Sequence, residues 1–269
     1  MSAAGAPTAV PTGVTIRMLD DQADLAALIR VFDRIWGTGP GRTMLDLPTL
    51  VALRGGGHFV SGAFVGDELV GGCIGFHVEP LGRTLHSHIA GVLPAYASAG
   101  VGRALKQHQR EWCRDRGIDT IRWTFDPLIA RNAHFNLSSL GAVPYAFAAN
   151  YYGVMSDGIN AGDESDRLTV AWAVADAERR PPFLADDAAP LLDATADGRP
   201  VVDTSALLAD RVSARIPSDI ERMRLDAPAL ARSWRLALRD ALSVVVGSAD
   251  WIPVGFDAAD RYVFSRRSA

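Results

Sequence analysis

The sequence predicts an α+β protein: a mixed, mostly antiparallel sheet flanked by helices, followed by a small α+β C-terminal extension. Three observations carry that class. Apolar residues recur at helical spacing near residues 25–36 and 101–116. Between them lie three β-rich runs, "HFVSGAFVG", "ELVGGCIGFHVE" and "TLHSHIAGVLP", the first two joined by the tight-turn signal "GDE". After a stretch rich in Pro, Asp and Ala, short strand-like and helix-like runs return beyond residue 210.

Taken in order, "VTIRML" from Val14 alternates as a short strand. Leu25, Leu28, Ile29, Phe32 and Trp36 then share one helical face, and Gly37 ends the helix. A second, short helix is expected after Pro48. Past the three strand runs, the segment from Val101 to Arg116 predicts a helix that buries Val101, Leu105, His108 and Trp112 and turns Arg103, Lys106, Arg110 and Arg114 outward. "TIRWTFDPL" reads as a buried strand ended by Pro127, and "ARNAHFNLSSLGA" as a short helix capped by Gly141. "YAFAANYYG" and "RLTVAWAVA" supply two more strands. In the extension, "RVSARI" reads as a strand, Ser218 and Glu221 have capping-box spacing, and Leu230, Trp234, Leu238 and Leu242 mark a helix before strand-like "DWIPVGF" and "RYVFS". The Arg232, Arg235, Arg239 stripe of that late helix reads as a solvated face. The organisation expected is therefore a flexible tail (1–13), a main domain (14–175), a linker or wrapping arm (176–210) and the extension (211–269).

Composition narrows the function classes. A net charge of −4 in 269 residues argues against a nucleic-acid or anionic-membrane partner. Lys106 is the only lysine among 27 basic residues, which reads as a base-composition bias of the source genome. Cys73 and Cys113 have no clustered spacing and read as buried, reduced thiols of a cytoplasmic protein. "MSAAGAPTAVPTG" lacks the basic start and continuous apolar core of a secretory signal. No apolar run approaches the ~18 residues needed to span a bilayer.

The informative motif is "VLPAYASAGVGRALK", Val92 to Lys106, where a strand runs through small residues into a helix. The first helical N–H groups have no intrahelical partner and the helix dipole adds positive charge, so the turn predicts an anion site gripped by backbone amides. It is not a P-loop, because no Gly-Lys-Ser/Thr follows, nor a dinucleotide fingerprint, because the third glycine is missing.

This loop resembles the pyrophosphate loop of the GNAT superfamily of N-acyltransferases, and the order of elements from Val14 to about Ala175 is similar to that fold. "LHSHIAGVLP", "WTFDPLIARNAHFNLSSLGA", "NYYG" and "SDRLTVAW" extend the likeness to a bacterial branch with a C-terminal extension. The resemblance implies an acyl-CoA co-substrate, acetyl-CoA by default, and no metal. It implies that Val92 offers backbone hydrogen bonds to the pantetheine arm. It implies that Ala97, Ser98, Ala99, Gly100, Val101, Gly102 and Arg103 wrap the pyrophosphate, and that Asn132, Phe135 and Asn136 line the pantetheine side. Two positions depart from the family pattern: Ala97 stands where an Arg or Gln is usual, and Leu137 where many members carry a general-acid Tyr.

Other groups must then move the protons. His88 lies on the strand leading to the loop, on the face of His86; it reads either as a core histidine or as a general base. A metal site on that pair lacks a third ligand nearby. Asp126 either fixes the turn before Pro127 or serves the acceptor, at the place where the fifth strand should splay from the fourth. Tyr145, Tyr151 and Tyr152 are candidate acids, with Tyr152 taken forward, and His134 reads as cap or core. The expected activity is transfer of an acetyl, succinyl or other acyl group to the amine of a small metabolite or amino acid, with a non-catalytic acyl-CoA-binding or regulatory module, or another acyl-CoA reaction, as the rival. The oligomeric state stays open, a homodimer included.

Overall fold

The structure, a computed structural model, describes residues 13–39, 41–153, 164–175 and 182–268; most of the expected N-terminal tail lies outside the described residues. The fold is mixed α+β with sheets flanked by helices. Two compact units divide between Arg122 and Trp123. Among the described residues no helix is long and apolar enough to cross a membrane.

The first unit has the strand order β1-β2-β3-β4-β5, with β1 at Val14–Met18, β2 at Phe59–Val65, β3 at Glu68–Val78, β4 at Thr84–Val92 and β5 at Thr120–Phe125. β1 to β4 are antiparallel neighbours, and β5 joins β4 in parallel at Thr84↔Thr120, Leu85↔Ile121 and His86↔Arg122. The "GDE" turn closes the β2–β3 hairpin at Val65↔Glu68. Helix α1 (Gln22–Trp36) starts at Asp21, whose side chain accepts from Asp24 N, and stops at Gly37 in the left-handed region. Its Leu25, Leu28, Ile29 and Phe32 pack into one core with Val60, Ile74 and Ile89. The approach is close enough that a Cβ on Gly72 would lie 2.3 Å from Leu28 Cδ1, so β3 needs glycine there. Helix α2 (Leu47–Gly55) is capped by Asp46.

Helix α3 (Val101–Arg114) buries Val101, Leu105 and Trp112 as expected, but also Lys106 and Gln109. Lys106, expected outside, is 3% exposed, because Ser87 Oγ and Gln109 Oε1 accept from its ammonium inside the core. Burial pushes its pKa down from the ordinary 10.5 to about 8, against the two nearby thiols, which raise it. The unfolded chain therefore holds this proton up to about pH 10 while the folded chain releases it near 8. Between those values stability rises with pH. Urea melts should show the wild type gaining about 3 kcal/mol relative to Lys106→Met across that window.

The second unit opens with the end of β5 and has the order β5-β7-β6, with β6 at Val143–Ala148 antiparallel to β7 at Arg167–Ala173. The helix expected before Gly141 is α-helical only over α4 (Ala130–Ala133) and becomes π-helical over His134–Ser139. A second sheet has the order β11-β12-β10-β8-β9, built from β8 (Ala189–Ala194), β9 (Pro200–Val202), β10 (Arg211–Arg215), β11 (Trp251–Phe256) and β12 (Arg261–Arg266). Where the sequence suggests a linker over 176–210, β8 and β9 thus form a hairpin, and β8 runs parallel to β10. The turn between them is "TADGR", residues 195–199, and Leu191 and Leu192 are buried. Helix α5 (Ile220–Asp226) is capped by Asp219 rather than Ser218: the Asp219 side chain accepts from Arg222 N. Helix α6 (Pro228–Val245) buries Trp234, Leu238 and Leu242. Its arginine stripe is solvated only at Arg232; Arg235 is buried, and Arg239 pairs with Glu164 and Asp166. Helical spacing identifies the apolar stripe but not the carboxylates that draw arginines inward.

Candidate active site

In the first unit, β4 ends with Val92 opposite Gly71, and Leu93 N donates to Val70 O at 2.8 Å. A short 3₁₀ helix, Pro94–Ala99, which the sequence reading lacks, leads to Gly100. At φ 77° Gly100 is in the left-handed region, where a side chain would be strained, and it is the N-cap of α3. The helix ladder begins with Ala104 N donating to Gly100 O, and no side chain caps the end. The amides of Val101 and Gly102 lie in the first turn of the helix, where the dipole of a 14-residue helix converges. Ala97 and Ala99 are exposed beside this turn. The arrangement suits the close approach of a phosphate oxygen.

His88 owes its position to a feature that the sequence reading missed. The β3–β4 register steps from Ile74↔Ile89 to Gly75↔Ser87, leaving His88 as the extra residue of a β-bulge. Its exposed ring lies 5.5 Å from Phe76 and 5.9 Å from His86, and Phe76 and His86 are 5.0 Å apart. Burial lowers the His86 pKa to about 4, aided by His88 and Lys106, so this ring stays neutral across the physiological range. Partial desolvation also lowers His88, which leaves it neutral and able to accept a proton at pH 7.

In the second unit, Asp126 is nearly fully buried, and its Oδ2 accepts from Arg224 at 2.6 Å and Arg235 at 3.1 Å, with Arg167 at 4.0 Å. Its Oδ1 accepts from Leu128 N at 2.9 Å, which fixes the turn before α4. Burial alone would raise this carboxyl, but Arg235 and Arg224 outweigh it and hold it below the ordinary range. A carboxylate held so is a structural node and a poor proton acceptor at neutral pH. The turn it fixes is further bound by Tyr262, whose OH donates to Pro127 O at 2.7 Å. His134 pairs with Asp260 at 2.8 Å and Ser138 donates to Phe256 O, so His134 serves as a tie between elements.

Tyr152 is exposed, with its OH 3.2 Å from Thr124 Oγ1 and the Arg167 guanidinium 5.4 Å from its ring centroid. Tyr151 packs edge-on against it, and Tyr145 is exposed on β6. Asn132 and Phe135 are half-buried. Asn136 is turned into the core, where it accepts from Trp123 Nε1 at 3.1 Å. That bond engages the amide oxygen of a side chain expected to line the pantetheine side. Leu137 is buried as well.

The family model described as "Acetyltransferase (GNAT) family" matches residues 25–135, from α1 through the loop and α3 into the π-helical turn. No curated protein is similar enough to count as a match. Among solved structures, Ard1 from Thermoplasma volcanium is 19% identical with a TM-score of 0.49, over 61% of this chain and 100% of its own. The yncA protein from Salmonella typhimurium, solved with its cofactor acetyl-CoA, is 20% identical over 64% of this chain and 100% of its own, with a TM-score of 0.49. A ribosomal-protein-alanine N-acetyltransferase from Brucella melitensis is 19% identical over 59% of this chain and 99% of its own, also at 0.49. The segment 25–135, which holds β4, the glycine turn and α3, is thus similar to the GNAT family of acetyltransferases.

Proposed function

We propose that the chain is an acyl-CoA-dependent N-acyltransferase that moves an acetyl or related acyl group to the amine of a small metabolite or amino acid by direct attack. The observation that carries this reading is the turn from β4 through a left-handed Gly100 into the N-terminus of α3, with no side chain capping that end. The co-substrate supplies an activated thioester carbonyl. Val101, Gly102 and Arg103 hold phosphate oxygens by their N–H groups, and the end of β4 at Val92 offers backbone partners to the extended arm. His88, neutral at pH 7, accepts the proton that the acceptor nitrogen loses as its C–N bond forms and the C–S bond breaks. Tyr152 is the hydroxyl assigned to protonate the departing sulfur, in place of the absent Tyr at Leu137.

One observation favours a second reading, a non-catalytic acyl-CoA-binding module: Leu137 is buried hydrocarbon where many relatives carry an acid. Thiol release from acetyl-CoA and succinyl-CoA against a panel of small amines separates the two. The enzyme reading expects turnover with at least one pair; tight CoA binding with no thiol release from any pair selects the binding module. Gly100→Trp should weaken CoA binding by about tenfold or more, the scale of one lost charge-assisted hydrogen bond. Unchanged CoA affinity in a folded Gly100→Trp chain would remove the loop assignment.

A further inference from the structure

Lys106 is the chain's only lysine, and its partners explain why an ammonium suits this position. Nζ donates to Ser87 Oγ at 2.9 Å and to Gln109 Oε1 at 2.9 Å, two neutral oxygens within the core. Arginine would bring a wide planar fork where a compact point charge fits. Ser87 Oγ also lies 3.7 Å from Cys73 Sγ.

Ser87 directly precedes the bulged His88. A bulge residue has no ladder partner, so its aim depends on its two flanks. On one side Ile89 packs in the apolar core. On the other, Ser87 is held by an ammonium that projects from the second turn of α3, the helix whose first turn forms the anion site.

We infer that Lys106 is a positioning residue for His88: by holding Ser87 it sets the β4 bulge and the aim of the imidazole, and it ties that aim to the helix of the anion-binding turn. The inference rests on His88 being the base. The titratable groups that face Lys106 are Cys73 on β3, Cys113 on α3 and His86 on β4. Both thiols are kept protonated by burial, which raises their pKa values, so at neutral pH the ammonium is the charged member of this set. It loses that charge above about pH 8, where its hold on Ser87 changes.

The test compares Ser87→Ala, Ser87→Thr and Lys106→Met with the wild type, using steady-state kinetics and an NMR titration of the His88 imidazole. Lysine-selective 15N labelling adds a direct titration of Lys106, the one lysine. Ser87→Ala and Lys106→Met should lower kcat by about 10- to 100-fold, the scale of a misaimed catalytic group, and leave KM for acetyl-CoA within about twofold. Their His88 resonances and midpoint should shift while the His134 resonances stay in place, and Ser87→Thr should restore both His88 readouts. Unchanged His88 resonances in folded Ser87→Ala overturn the inference. So does a loss of kcat that Ser87→Thr fails to rescue. If Lys106→Met does not fold, the two Ser87 variants decide. A wild type that releases no thiol removes the base assignment, and the His88 titration then decides the positioning claim alone.

Discussion

His88→Ala is expected to lower kcat for amine acylation by about 10²–10⁴, the contribution of a positioned general base. The sign of the pH dependence follows from the partly desolvated ring. Only the neutral imidazole accepts a proton, and burial holds the pKa of His88 below the ordinary 6.5. Activity should therefore be level near pH 7 and fall as acid charges the ring, and the variant should lose that acid limb. His86 is a poor substitute, because at about 4 its pKa gives a weak base. Stopped thiol-release assays from pH 4.5 to 8.5 read both quantities. An undiminished kcat in His88→Ala would move the proton transfer elsewhere, to water or another side chain.

Asp126→Ala is expected to destabilise the folded chain by about 3–5 kcal/mol, the scale for removing one partner of a buried ion pair. The variant leaves Arg224 and Arg235 in the core without their shared carboxylate, and Leu128 N without its acceptor. Because the folded-state pKa is depressed, the stabilisation is present above the ordinary carboxylate range and is lost as the pH falls through the folded value. Urea melts of wild type and Asp126→Asn should thus differ most near neutrality and converge in acid. A folded Asp126→Ala chain with wild-type stability and a lost acid limb would return Asp126 to the role of base. The two substitutions should separate cleanly: His88→Ala inactive and stable, Asp126→Ala unstable.

Asp126 also shows why the site was only partly legible. "TFDPL" announces a carboxylate before a proline, and the turn it fixes was readable from that alone. Its arginines lie 98 and 109 residues further along the chain, and Arg235 belongs to a stripe that reads as solvent-facing. Asn136 and its tryptophan partner are nearer in sequence, yet the π-helical winding that turns the amide inward has no signature in "HFNLSS". The His88 bulge is similar: alternation along "TLHSHIAGV" pairs His86 with His88 on one face, but the extra residue is a property of the register with β3.

The sequence by itself determined what depends on near neighbours. It marked α1 from its apolar spacing and terminal glycine, the β2–β3 hairpin from its turn, and the passage from β4 into α3 from the small residues placed there. Only the tertiary structure decided which polar side chains point inward: Lys106, Arg235, Asp126 and Asn136 are all buried. Periodicity reports the average polarity of a face, whereas burial of a charge depends on whether distant elements bring hydrogen-bonding partners to it. For this chain those partners are Ser87 for Lys106, Arg224 and Arg235 for Asp126, and Trp123 for Asn136.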